Sequence, residues 1–217
     1  MRYRSDIDGL RTVAVMSVVI FHFFPNLILG GFIGVDVFFV ISGYLISSII
    51  LKQLDNRSFS ILSFYKKRIL RIFPALFIVL AATYIVGWFT LTQGDYSALG
   101  KHIAGGSFFI SNLLLWSESG YFDTSSQLKP LLHLWSLGVE EQFYLLWPLI
   151  LLAFSKTRKG IICIGLLVLI VSLTTSILTM HATSGINYYS PFTRAWELMF
   201  GALLADLKYK KTSITVN

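Results

Sequence analysis

The sequence predicts an all-α, polytopic membrane protein of about six transmembrane helices plus one re-entrant or interfacial segment. Composition is the first observation behind that prediction. Of 217 residues, 55% are hydrophobic and only 13% charged, about half the charged share of a soluble domain. Mean hydropathy is +0.70. The second observation is length: apolar runs approach the roughly 20 residues that carry a helix across a bilayer core. Six runs qualify, at 10–29, 35–51, 72–91, 134–154, 161–180 and 191–207. The stretch 103–116 is apolar but short, and Gly105, Gly106, Ser107, Ser111 and Asn112 dilute it. It reads as re-entrant or interfacial rather than as a seventh span.

Charge placement is the third observation. With a cytoplasmic N-terminus and six spans, one side of the membrane receives 15 of the 18 Lys and Arg residues. Only Lys101, Lys129 and Arg194 fall on the other, as the positive-inside rule requires. A seventh span would move the basic runs 156–159 and 208–211 outside. The net charge of +7 is therefore a topology signal, and nucleic acid is not expected as a partner. A cleaved signal peptide fits poorly, because Asp6, Asp8 and Arg11 interrupt the basic start and no small-residue cleavage site follows. The single cysteine, Cys163, excludes an intrachain disulfide. Phosphate-loop, dinucleotide and zinc motifs are absent, and no metal is expected.

The first span carries Arg11 near its start and His22 past its middle. Eleven residues are about three helical turns, so the two side chains share a face to within ~20° and stand ~16 Å apart along the axis. Ionisable residues in such a run are costly and mark candidate sites. Snorkelling of Arg11 and an interhelical hydrogen bond from His22 are the competing structural reading. After the first span, Gly30, Gly31 and Gly34 suit a compact hairpin, and Asp36 suits a helix N-terminus. The cytoplasmic loop 52–71 ends in FYKKRILRIFP. There Arg68 and Arg71 share a helical face, able either to anchor lipid or to clamp phosphate bidentately. Pro74 suits the first turns of the third span.

The outer region 92–132 is long enough to cover or serve a site. The fourth span opens HLWSLGVEEQFYLLWP, with His133, Ser136 and Glu140 on one stripe and Glu140 and Glu141 deep enough to need partners. The fifth reads as packing. In the sixth, Arg194 and Glu197 at i, i+3 read as a structural ion pair. A transporter would be expected to show broken helices and internal repeats, and neither is seen.

Five blocks then resemble one family. They are IDGLR (7–11) followed by His22, GVDVFFVISGYLI (34–46), SFYKKRILRIFPAL (63–76), HLWSLGVEEQFYLLWPL (133–149) and FTRAWELMFGALLA (192–205). Together, and in this order, they resemble the acyltransferase-3 family of integral membrane acyltransferases, most of all its bacterial O-antigen and peptidoglycan O-acetylases. The resemblance implies transfer of an acyl group, usually acetyl from cytoplasmic acetyl-CoA, to a hydroxyl of an extracytoplasmic glycan such as lipopolysaccharide O-antigen. It implies a multi-pass protein of the bacterial cytoplasmic membrane with both termini inside and lipid around it. The family's Arg-x10-His pattern falls on Arg11 and His22, its Arg-x-x-Arg on Arg68 and Arg71, and its W-S-L-x-x-E carboxylate on Glu140. His22 and Glu140 are thus the expected catalytic residues, and Arg11, Arg68 and Arg71 the expected donor-binding ones. A neutral, partly desolvated His22 suits a general base, and a covalent acyl-histidine stays open beside direct transfer. Glu140 is expected to orient a histidine or the glycan hydroxyl. Family members carry more helices than six, so 1–217 is expected to be a partial membrane domain truncated on its C-terminal side, with no soluble domain. A separate chain carrying the missing helices is then an expected partner. The alternative is a catalytically inactive remnant or accessory membrane subunit.

Overall fold

Small residues decide where the helices meet. The computed structural model describes residues 4–24, 26–119, 128–154, 157–181 and 185–214, side chains excepted at 158, 186 and 209–214. Arg2, Lys156, Arg158, Lys210 and Lys211 of the charge count, and the polar turn at 121–127, lie outside the described residues and side chains. Among the described residues the structure is helical and contains no strand. The helices are α1 (Ser5–Phe23), α2 (Ile33–Asp55), α3 (Ile61–Thr90), α4 (Gln93–Ser107), α5 (Ser111–Glu118), α6 (Leu134–Ala153), α7 (Arg158–Leu178), α8 (Ile186–Tyr189) and α9 (Pro191–Ile214).

Helix α2 is the hub, packing on α1, α6 and α9. It crosses α9 with backbones nearly touching: a Cβ on Gly43 would strike the Leu198 carbonyl, and one on Gly201 the Val40 carbonyl. Such reciprocal glycines let helices approach closely. Toward its other end, Gly31 and Gly34 press on the backbone of α1 at Ser17 and Ala14. The hairpin glycines therefore serve close packing, and neither is held in a left-handed conformation. Against α6, Ser47 accepts a buried hydrogen bond from the Trp147 indole at 2.7 Å, and Phe39 meets Trp135 edge to face. Helix α7 packs on α9, where Gly165 faces Leu203 and the Trp196 N–H donates to Ser172 Oγ at 3.0 Å.

Among the described residues three helices, rather than the six expected, are long and apolar enough to cross a membrane: α2, α3 and Lys159–Leu178 of α7. The other three fall short because of side chains that matter below. Helix α1 carries Asp6, Asp8 and Arg11 within 19 residues, α6 is interrupted by Glu140, Glu141 and Gln142, and α9 by Arg194, Glu197 and Asp206. The apolar helices turn large side chains outward: Phe77 is 72% exposed and Phe89 81%. Such a surface belongs in lipid.

The basic segment expected to be a loop is helix. Ser60 caps α3, accepting from the Ser63 N–H, so Lys66, Lys67, Arg68 and Arg71 ride on its first turns and Pro74 lies inside the helix, not near its start. The segment 103–116 is likewise not one span. It breaks at Phe108–Ile110, where Phe109 adopts φ +57° and Ile110 N–H returns to the Gly105 carbonyl. A left-handed closing residue is usually glycine. Phe109 is held there by Phe73, edge to face, and by Gln142, whose amide donates to its carbonyl at 2.9 Å. Buried Asn112 completes the seam, accepting from Gln142 at 2.9 Å and donating to the Tyr189 carbonyl at 3.2 Å.

Candidate functional site

The polar groups collect at three levels. At the end of α2 a short turn closes with Arg57 in the left-handed region, φ +50°, and Ser58 N–H bonded to the Gln53 carbonyl. The turn and the start of α3 enclose a cavity of about 190 Å³ lined by Gln53, Ser58, Ser60, Lys67, Arg68 and Arg71, among others. Arg68 and Arg71, predicted to share a face, do line the same cavity. Glu141 of α6 lies within electrostatic reach of both arginines, and its buried Oε1 has no hydrogen-bond partner. Arg68 also covers the ring of Tyr144 at 4.0 Å.

At the middle level is Arg11, over the ring of Phe38 at 5.2 Å. Phe38 lies eight residues before Ile46 of the cavity wall, so Arg11 stands ~12 Å farther along α2. It is not at the cavity itself, as a cytoplasmic-face arginine would be. Its Nε is buried without an acceptor. A guanidinium donor left unpaired inside a protein is costly. Glu140 of α6 is buried and accepts a hydrogen bond from Tyr144 one turn on, the ring that Arg68 covers. The stripe His133, Ser136, Glu140 thus runs from an exposed histidine at the start of α6 to a buried carboxylate.

At the third level, farthest from the cavity, His22 ends α1. It is exposed, contrary to the expected desolvation. Its Nδ1 lies 2.8 Å from the Val18 carbonyl. A carbonyl only accepts, so Nδ1 carries the hydrogen and Nε2 of the neutral ring keeps its lone pair free. His133 is an electrostatic neighbour of His22. Nearby helix ends gather a group that sequence reasoning missed. Arg194 bridges Asp36 at 2.9 Å and Glu197 at 2.8 Å, with its guanidinium over Trp135 and Tyr188. The i, i+3 pair was visible in sequence, whereas Asp36, 158 residues from Arg194, was read only as a helix-end charge. A larger cavity of about 790 Å³ opens between α6, α7 and α9. It is lined mainly by apolar residues such as Phe143, Leu146, Leu167 and Met199, with Gln142, Ser172 and Thr175, and none of its described lining residues is charged or a histidine.

With this geometry in place, comparison with known proteins decides the family. The acyltransferase domain family model matches residues 4–214. The chain belongs to the acyltransferase-3 family. It is 38% identical to a Staphylococcus aureus protein named as a candidate O-acetyltransferase, over 95% of the chain and 35% of that protein. Peptidoglycan O-acetyltransferase OatA of Listeria monocytogenes is also 38% identical, over 94% of the chain and 34% of its own length. YrhL of Bacillus subtilis, named as a candidate peptidoglycan O-acetyltransferase, gives 38% over 94% and 33%. The chain therefore spans about a third of the length of these relatives. No solved structure matches it. Membership in a family of acyltransferase domains accords with helices that turn large apolar side chains outward.

Proposed function

We propose that this protein moves an acetyl group from cytoplasmic acetyl-CoA to a hydroxyl of a cell-envelope polysaccharide. The observation that carries the proposal is a series of basic groups along one path: the Arg68–Arg71 cavity, the unpaired Nε of Arg11 ~12 Å farther on, and His22 ~16 Å beyond that. The two guanidinium forks suit the donor's phosphates, which would take over the arginines' charge from Glu141. The pantetheine arm runs past Arg11, whose free N–H is available to its carbonyls. His22 Nε2 takes the proton of the acceptor hydroxyl as its oxygen attacks the thioester carbon. The C–S bond breaks, the sulfur receives the proton from the imidazolium, and CoA leaves toward the inner face. The names of the Listeria and Bacillus relatives favour peptidoglycan as the acceptor over an O-antigen.

The charge split supports a place in the bacterial cytoplasmic membrane with both termini inside and α4–α5 outside. On that topology α1, α6 and α9 cross as well, with their charged groups turned to protein rather than lipid. In a strain lacking the gene, mass spectrometry of the envelope glycan should show loss of acetyl esters, restored by the gene in trans. An unchanged ester content would refute the proposed activity.

A further inference from the structure

We infer that Tyr144 and Glu140 act on the donor side: together they aim the Arg68 fork into the inner cavity. The inference rests on the donor-clamp reading above and deepens it. It starts from how loosely the backbone of α3 is held there. Close backbone packing of α3 is with α4, along the second half of the helix from about Leu80 to Gly87. Its first turns are instead fixed to α6 and α2 by three side chains. Phe64 is buried in the cluster of Ile46, Ile50, Tyr144 and Trp147, Tyr65 donates to the Leu145 carbonyl at 2.8 Å, and Arg68 lies on Tyr144. An arginine has ~2 kcal/mol of rotamer entropy to lose on binding a phosphate. A ring beneath the guanidinium removes part of that cost in advance.

Tyr144 can serve because it is itself immobile. Its residue is 3% exposed, and its hydroxyl donates to Glu140 Oε1. Glu140 is buried as well, one turn earlier on the same helix. The carboxylate therefore fixes the phenol, and the π-face of the phenol fixes the guanidinium, while Arg68 keeps its N–H groups for a ligand. Glu141, the next residue, stands as an electrostatic counterweight to Arg68 and Arg71. On this reading Glu140 is a positioning residue acting through Tyr144, and it does not touch the glycan hydroxyl.

The test is binding of coenzyme A to the purified chain in lipid nanodiscs by isothermal titration, with Tyr144→Met, Tyr144→Phe, Arg68→Ala and the Arg68→Ala/Tyr144→Met double variant. Methionine fills a similar volume without a π-face, whereas phenylalanine keeps the ring. Met should weaken binding by up to about tenfold, a part of the rotamer entropy that an unsupported arginine loses on binding. Phe should restore most of it, and the double variant should be no weaker than Arg68→Ala alone. Equal binding by the Met and Phe variants, or additive losses in the double variant, would overturn the inference while leaving the clamp in place. Parent-like binding by Arg68→Ala would overturn the donor clamp and the inference with it. If Tyr144→Met does not insert, Glu140→Leu serves instead, with a smaller loss expected and the same absence of additivity with Arg68→Ala.

Discussion

A single imidazole carries most of the chemistry proposed here, and its surroundings say what its replacement should do. The Val18 carbonyl fixes the tautomer of His22, leaving Nε2 as the proton acceptor. Gln preserves hydrogen bonding but takes up no proton near neutral pH. His22→Gln should therefore insert and bind coenzyme A normally yet lose ~10²–10⁴-fold in acetyl transfer, the usual contribution of a positioned base. The neighbouring His133 is the control. If His133→Gln abolishes transfer while His22→Gln retains it, the base lies on α6. Arg11 and His22 stood out in the sequence because an ionisable group in an apolar run is costly, and Arg68 and Arg71 because they share a helical face in a basic segment. Tyr144 was not, since one more aromatic in an apolar helix carries no signal. Asp36 was seen, but its partner Arg194 is 158 residues away and no local spacing joins them.

Between elements, the tightest constraint is the α2–α9 crossing that places Asp36 against Arg194. A Cβ at Gly201 would enter the backbone of α2 at Val40 and Tyr44, so the helices must separate to accept it. Gly201→Val should cost ~1–3 kcal/mol, the range for overpacked cores, read as a lowered melting temperature in detergent. By contrast, Gly100→Ala in α4 meets nothing within 4 Å, and it should be neutral or stabilising by up to ~1 kcal/mol. Equal melting temperatures for the Gly201→Val variant and the parent would show that the crossing is looser than described. The all-helical class and the approximate helix positions were readable from hydropathy. The start of α3 was not, because lysines and arginines that would leave a bilayer can still continue a helix above it. Nor was the break at Phe109, where packing against Phe73 and Gln142 overrides the usual demand for glycine.

For the whole molecule, the helices that fail as simple membrane spans carry Arg11, His22 and Glu140 of the candidate site, while Arg68 and Arg71 ride on the first turns of the apolar α3. Asp8 and Arg11 in α1, Glu140 and Glu141 in α6, and Arg194 and Glu197 in α9 lower apolar content while lining the interior. The apolar helices α3 and α7 turn large side chains outward, and α2 packs among its neighbours. This division of labour was hidden from a span count that weighs every apolar run alike. The proposed donor cavity lies at one end of α2 and His22 near the other, so the proposed reaction has a direction across the membrane. Sidedness of acetyl transfer tests that claim most directly. Membrane vesicles bearing the protein are prepared inside-out or right-side-out and supplied externally with radiolabelled acetyl-CoA, and alkali-labile label is then measured in the glycan. Inside-out vesicles, which present the cytoplasmic face to the donor, should incorporate label, and intact right-side-out vesicles should not. Equal incorporation from the outer face, or none from the cytoplasmic face while the glycan is acetylated in cells, would contradict the account.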